Sequence, residues 1–152
     1  MDVIESFASD AGIMAERVDA NEVHLSFDGG WKDLTLWFAW RHEFQTIQIG
    51  ATLDLKVEPD RMDSATRLLA LVNERLWIGH FDLWSDDGSI VFRHGVVLSE
   101  EGDLDRDQVE ILIQSAIDAY ERFYPAFDFV LWSDRTPDEA LDAAMFDTVG
   151  NA

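Results

Sequence analysis

The sequence predicts an α+β domain on an antiparallel five-stranded sheet, in the order α-β-β-β-α-β-β-α with a short C-terminal helix. Apolar residues alternate with polar ones in five short runs, which is typical of half-buried strands. Between these runs, apolar residues recur every three or four positions, as on one face of a helix. The strands are grouped instead of alternating singly with helices, which favours α+β over a parallel α/β fold. The length of 152 residues predicts a single domain over residues 1–152.

The N-terminal part predicts one helix followed by a three-stranded meander. Apolar positions spaced by three and four predict the helix over residues 3–17. Period-two alternation predicts strands over residues 23–27, 34–41 and 47–56. The Asp-Gly-Gly turn at 28–30 joins the first two strands, since these residues tolerate positive φ, and a polar turn at 41–43 joins the next two. The meander is expected to have one dry face, with Trp40 on it.

The middle of the chain predicts a second helix and a hairpin. Asp60 is expected to cap a helix that runs to about Trp77, with apolar residues on more than one face. Gly79 ends it. Strands around residues 81–83 and 90–96 are then joined by the turn-forming segment 85–89.

The C-terminal part predicts two further helices. A long helix begins after Asp105, with Gln108 placed to complete a capping box, and Pro125 is expected to kink or end it. Thr136 and Glu139 form a second capping box before a short helix over residues 140–146.

Charge restricts the classes of partner. Eleven basic residues against 31 acidic ones give a formal net charge of -20. Such a surface repels phosphate backbones and anionic lipids, so neither nucleic acid nor a membrane is expected as a partner. The chain is 47% hydrophobic, enough to form a core. An acidic N-terminus and short apolar runs, the longest far below a bilayer span, predict a cytoplasmic protein.

Motifs for catalysis, metal binding or cofactor binding are absent from the sequence. Without cysteine, thiolate chemistry is excluded. The acidic run at 100–107 fails as a calcium loop, because Gln108 and Gln114 stand where glycine and glutamate are needed. No phosphate-binding glycine loop and no GxSxG motif occurs. The sequence therefore predicts no catalytic, cofactor-binding or metal-binding residue. The histidines lack metal-ligand spacing: His24, His42, His80 and His94.

Tryptophans are the feature that points to a function. Trp37, Trp84 and Val91 are expected on the sheet face opposite the dry one, beside Arg93. Either the chain covers them itself, for example with Phe127 and Leu131, or they bind a partner, since Trp anchors rimmed by charge are typical of protein interfaces. The second helix has more apolar surface than one contact face needs, which predicts a homodimer interface on this helix. The predicted partner-binding residues are Trp37, Trp84, Val91 and Arg93.

Residues 73–83 (NERLWIGHFDL), then a turn and Val-Phe-Arg-His at 91–94, resemble the YbjN family of bacterial sensory transduction regulators. The segments 137–145 and 148–150 resemble it as well, so the similarity covers nearly the whole chain. This resemblance implies a fold similar to type III secretion chaperones, which are small acidic α+β homodimers that hold partner proteins. It implies no catalytic residue and no cofactor.

These observations leave three hypotheses for the function. The first is a cytoplasmic, dimeric, non-enzymatic protein-binding module with a chaperone-like or regulatory role. The second is a regulatory domain that senses a small ligand in an aromatic pocket. The third is an enzyme that uses acids such as Asp82, Asp86 or Asp87, which would require a deep pocket with converging titratable groups.

Overall fold

The computed structural model describes residues 1–28 and 33–150, with side chains described up to residue 145. Within these residues, four α-helices accompany one six-stranded sheet with the strand order β1-β2-β3-β4-β6-β5. This confirms the α+β class with an antiparallel sheet and corrects the strand number from five to six. The elements are α1 (Asp2–Ala11), β1 (Met14–Asp19), β2 (Glu22–Phe27), β3 (Leu34–Arg41), β4 (Thr46–Lys56), α2 (Met62–Asn73), β5 (His80–Leu83), β6 (Ser89–Val97), α3 (Arg106–Trp132) and α4 (Pro137–Gly150).

The additional strand is β1, which occupies the end of the predicted helix over residues 3–17. Gly12 has a φ of 71° and ends α1 in the left-handed conformation, which costs glycine little. The Gly12 and Ile13 amides donate back to the carbonyls of Ser9 and Ala8. All six residues of β1 are exposed at the sheet edge, so the strand carries no alternating apolar pattern by which the sequence could reveal it.

The predicted meander is confirmed. β2, β3 and β4 pair antiparallel, with Phe38 of β3 opposite Val23 on one side and Ile49 on the other. These three side chains are at most 1% exposed and lie on the dry face. The predicted turn at 41–43 is a 3₁₀ turn at His42–Phe44. Residues 29 and 30 of the predicted hairpin turn lie outside the described residues.

The chain forms two compact units: unit 1 comprises Met1–Ala51 and Arg93–Ala116, and unit 2 comprises Thr52–Phe92 and Ile117–Ala152. The elements β4, β6 and α3 each contribute residues to both units. In unit 1, α1 packs against β1 and β2 and buries Ile4 and Ala8 completely. The start of α3 is joined to α1 by Arg106, whose Nη1 donates to Asp10 Oδ2 at 2.8 Å.

The core of unit 2 is a group of phenylalanines around Phe81 of β5. Its ring centroid lies 5.5 Å from that of Phe92, 6.3 Å from that of Phe123 and 5.4 Å from that of Phe127. The side chain of Asn73, at the end of α2, accepts from the Phe81 amide at 2.8 Å and donates to its carbonyl at 3.0 Å. Helix α2 packs against both β5 and α4.

Helix α2 is shorter than predicted at both ends. A 3₁₀ turn at Pro59–Arg61 precedes it, and Arg61 occupies the N-cap position without a side-chain capping bond. The predicted capping role of Asp60 is therefore wrong, because Asp60 lies within the preceding turn. The helix ends at Asn73 instead of Trp77, and Asn73 there bonds to the backbone of β5.

Both predicted capping boxes are present. The Asp105 amide donates to Gln108 Oε1 at 2.9 Å, and the Gln108 amide donates to Asp105 Oδ1 at 2.8 Å. In the second box, the Thr136 amide donates to Glu139 Oε2 at 3.3 Å, and the Glu139 amide donates to Thr136 Oγ1 at 3.2 Å. Helix α4 is longer than predicted and reaches Gly150.

Pro125 does not end α3, which continues to Trp132. A proline inside a helix removes one backbone hydrogen bond and clashes with the preceding turn. Here Tyr124 and Ala126 on either side are at most 4% exposed, and Phe123 and Phe127 are fully buried. This packing opposes the break, since most helix stability in proteins comes from tertiary contacts.

Candidate functional site

Trp37 is half-buried against its own sheet. It lies opposite His24 on β2 and Gly50 on β4. A Cβ atom at Gly50 would lie 2.1 Å from the Trp37 ring, so only glycine lets the indole pack this closely against β4. The sheet therefore covers part of the indole, and the rest of it is accessible. Arg93, also in unit 1, is half-buried too.

Val91 is not a surface residue. It belongs to unit 2 and is only 4% exposed, so for Val91 the structure has the covered alternative that the sequence left open. β6 lies between β4 and β5 in the sheet, and Ile90, Val91 and Phe92 are buried consecutively. Consecutive burial means that both faces of the strand are covered at this point.

Trp84 is accessible, with 49% of its surface exposed, and a tight turn holds its backbone. Its amide donates to the Ser89 carbonyl at 2.8 Å, and its carbonyl accepts from the Gly88 amide at 2.8 Å. Gly88 has a φ of 73°, and its carbonyl accepts from the Val57 amide at 2.9 Å. These bonds fix the backbone of Trp84, which directly follows β5. The four predicted residues are thus split, with Trp37 and Arg93 in unit 1 and Trp84 and Val91 in unit 2.

Asp87 stabilises the same turn. One of its carboxylate oxygens accepts from the Ser89 amide at 2.9 Å. This hydrogen bond lowers the pKa of the Asp87 carboxyl below its ordinary value, and a hydrogen bond from the Ser89 hydroxyl lowers it further by a smaller amount. A general acid near neutral pH needs a raised pKa instead. The position of Asp87 therefore fits a turn-forming role and gives no support to acid catalysis.

Unit 2 has further exposed aromatic residues that the sequence does not predict as binding residues. Trp77 is 99% exposed, just beyond the end of α2, and Trp132 is 79% exposed at the end of α3. Phe129, three residues before Trp132 and therefore on a neighbouring part of the helix surface, is 37% exposed. We call these residues the unit 2 aromatics: Trp77, Trp84, Phe129 and Trp132.

No sequence pattern marks Trp77 or Trp132 as exposed. Trp77 falls within the segment predicted as helix, where the apolar stripe suggests burial, and its exposure follows from the early end of α2 at Asn73. Trp132 continues the apolar residues of α3, but it lies at the last position of that helix.

A cleft of about 340 Å³ opens in unit 1, and Trp40 forms part of its wall. Trp40 is only half-buried, whereas the sequence places it in the dry core. Its indole N–H donates to His42 Nδ1 at 2.7 Å, and His42 Nε2 lies 3.0 Å from Asn21 Oδ1. Because Nδ1 accepts, Nε2 carries the proton and donates to Asn21. The cleft is lined by Met1, Asp2, Arg17, Ala20, Asn21, Trp40, Ile47, Leu98, Gly102 and Asp103.

Arg17 is the basic residue in the lining of this cleft, and it is paired with α1. Its Nη2 donates to Asp2 Oδ1 at 2.6 Å, and its Nε donates to Glu5 Oε1. The hydrogen bond to Glu5, with a further contribution from Asp2, raises the pKa of the Arg17 guanidinium. Two of its donor nitrogens are therefore occupied by the protein's own carboxylates.

Within residues 1–28 and 33–145, no three His, Asp or Glu side chains are grouped so that they could hold a metal ion. No polar or charged side chain in that part of the chain is buried. None of the helices described there combines the length and the apolarity needed to cross a bilayer.

Several solved chains are similar to this one, among them one of YbjN and one in the ExsC-ExsE complex. The crystal structure of YbjN from E. coli, described as "a putative transcription regulator", has 12% identity and a TM-score of 0.57, and the match covers 96% of this chain and 92% of that one. A chain in the crystal structure of the ExsC-ExsE complex has 16% identity and a TM-score of 0.53, with 80% and 88% covered. At such identities the likeness shows the fold, and it confirms the chaperone-like architecture implied by the sequence resemblance.

Sequence comparison assigns the family. No curated protein matches the chain significantly. The sequence model of one family, described as "Putative bacterial sensory transduction regulator", matches residues 1–129, which is most of the 152 residues. The match includes the segments at 73–83 and 91–94, whereas the segments at 137–145 and 148–150, which were also expected to resemble the family, lie beyond the matched residues. The chain therefore belongs to the YbjN family.

Proposed function

We propose that the chain is a cytoplasmic, non-enzymatic module that binds another protein through the unit 2 aromatics. The observation that carries this proposal is the exposure of three tryptophans in one unit, 99% for Trp77, 79% for Trp132 and 49% for Trp84. Large apolar side chains are normally buried, and exposed Trp is enriched among the anchors of protein interfaces. Trp84 is the one of these tryptophans that the sequence also predicts as an anchor.

Charge indicates the chemistry of the partner. A formal net charge of -20 attracts basic surfaces and repels acidic ones. Acidic residues adjoin the anchors in sequence, with Asp86 two residues after Trp84 and Asp134 two residues after Trp132. We therefore expect a partner segment that carries apolar side chains for the tryptophans and Lys or Arg residues around them. The similar ExsC chain was solved in a protein complex, which supports a protein as partner.

The capture experiment compares the wild type with two double variants on a lysate of the native organism, at low and moderate salt. In Trp77→Ser/Trp84→Ser, two unit 2 aromatics are removed. In the matched control Phe44→Ser/Val97→Ser, two unit 1 residues of 71% and 77% exposure are removed. We expect a discrete protein to be retained by the wild type and the control and lost with the tryptophan variant. Equal retention by all three, or no retained protein, would contradict the proposal.

We also infer that the chain forms a homodimer. Leu69 and Leu71 of α2 are only half-buried, although α4 packs against this helix, so apolar surface is left for a second copy. Light scattering is expected to give twice the 17.3 kDa mass of one chain. A mass of one chain across the micromolar range would refute the dimer.

A further inference from the structure

We propose that Asn73 is a positioning residue, whose side chain closes the loop 74–79 and thereby holds Trp77 in a fixed place relative to Trp84. This loop connects the end of α2 to the start of β5, and Trp77 lies within it. All of these residues belong to unit 2. What the fixed arrangement serves rests on the proposed function, because both tryptophans are among the proposed anchors.

The side chain of Asn73 bonds to β5 as a residue of a neighbouring strand would. β5 is the last strand of the sheet and has β6 on one side. Asn73 Oδ1 accepts from the Phe81 amide at 2.8 Å, and Asn73 Nδ2 donates to the Phe81 carbonyl at 3.0 Å. One carboxamide therefore satisfies both backbone groups of a residue in an edge strand.

Both ends of the loop are anchored in the core. Asn73 ends a helix whose preceding residue, Val72, is fully buried, and Phe81 is only 2% exposed. At the start of the loop, the Arg75 amide donates to the Val72 carbonyl at 3.0 Å, and the Leu76 amide donates to the Asn73 carbonyl at 3.2 Å. The two side-chain bonds to Phe81 then join this start directly to β5.

The position of Trp77 depends on this closure. An exposure of 99% leaves the indole almost entirely in solvent, so the backbone of the loop sets where the side chain lies. Trp84, which directly follows β5, is held by the hydrogen bonds of the hairpin turn. Asn73 and that turn thus hold one tryptophan each, before and after β5. An arrangement fixed in advance lowers the cost of ordering these side chains on binding.

The test measures backbone order parameters for residues 75–79 by ¹⁵N relaxation in uniformly labelled full-length protein. Asn73→Ala removes both bonds to Phe81. We expect order parameters of about 0.85 in the wild type and below about 0.6 in the variant, together with faster hydrogen exchange of the Phe81 amide. The control Asp105→Ala removes a side-chain bond to a helix amide in unit 1 and should leave the loop unchanged. Unchanged order parameters in Asn73→Ala, or an equal decrease in the control, would overturn the proposal.

Asn73→Asp replaces Asn73→Ala if the alanine variant does not fold. It keeps the shape of the side chain and the oxygen that accepts from the Phe81 amide, but it loses the bond to the Phe81 carbonyl. The order parameters of the loop should then decrease by a smaller amount. No decrease in this variant would overturn the proposal in the same way.

Affinity for the partner tests whether the closed loop serves binding. The probe is the protein that the wild type retains in the capture experiment, purified and titrated by calorimetry. Asn73→Ala should weaken its binding about twofold to tenfold, the cost of ordering one side chain on binding, and Asp105→Ala should not. Equal affinity for the wild type and Asn73→Ala would overturn the binding role of the loop. If the wild type retains no protein, the proposed function fails, while the order parameters still decide whether Asn73 positions Trp77.

Discussion

Replacing Phe81 by alanine is expected to lower the free energy of unfolding by about 3–5 kcal/mol. Phe81 is only 2% exposed. Its ring contacts one phenylalanine of β6 and two of α3, with centroid distances between 5.4 and 6.3 Å. Removing the ring leaves a cavity among side chains from separate elements, which cannot all move inward to fill it.

Urea denaturation measures this loss. The matched control is Phe44→Ala, because Phe44 is 71% exposed and its removal should change stability by about 0.5 kcal/mol or less. If Phe81→Ala does not fold, Phe81→Leu keeps part of the buried volume and should show a smaller loss in the same direction. Equal effects at positions 81 and 44 would contradict the assignment of Phe81 to the core.

Gly88→Ala is expected to destabilise the protein by about 2–3 kcal/mol, the sum of left-handed backbone strain and a displaced hydrogen bond. Gly88 has a φ of 73°. A Cβ atom there would lie 2.4 Å from the carbonyl oxygen of Val57, and backbone atoms cannot move aside as a flexible side chain can. The substitution should also disturb the turn that holds Trp84, because the Gly88 amide donates to the Trp84 carbonyl.

Gly12→Ala separates these two causes. Gly12 has nearly the same φ, 71°, but nothing lies within 4 Å of the Cβ position. This variant should lose only about 1–2 kcal/mol, the cost of the left-handed conformation. Thermal and urea unfolding of both variants give the comparison. A Gly12→Ala loss as large as that of Gly88→Ala would show that the Val57 contact contributes nothing.

Local signals were sufficient to predict much of the fold. The capping boxes at Asp105 and Thr136 consist of hydrogen bonds between residues three apart, so the residue types alone predict them. The meander has one buried face, and its alternation predicts both the strands and their orientation. β1 carries no such signal, because the exposed strand is held by backbone pairing with β2. The continuation of α3 past Pro125 depends on tertiary packing, which the local sequence does not reveal.

The candidate site could be predicted only in part, for the same physical reason. Trp84 directly precedes a turn that the residue types at 85–89 predict, and 49% of its surface is exposed. The burial of Val91 depends on β6 lying between two other strands. The exposure of Trp77 depends on where α2 ends. Both of these are consequences of tertiary structure that alternation along one strand or helix does not contain.

Photo-crosslinking tests most directly whether the unit 2 aromatics bind a protein. The photoreactive residue p-benzoylphenylalanine replaces Trp84 in one sample and Phe44 of unit 1 in another, and both are irradiated in a lysate of the native organism. We predict one discrete adduct from position 84, identified by mass spectrometry, and none of that mass from position 44. No adduct from position 84, or the same products from both positions, would contradict a partner surface on unit 2.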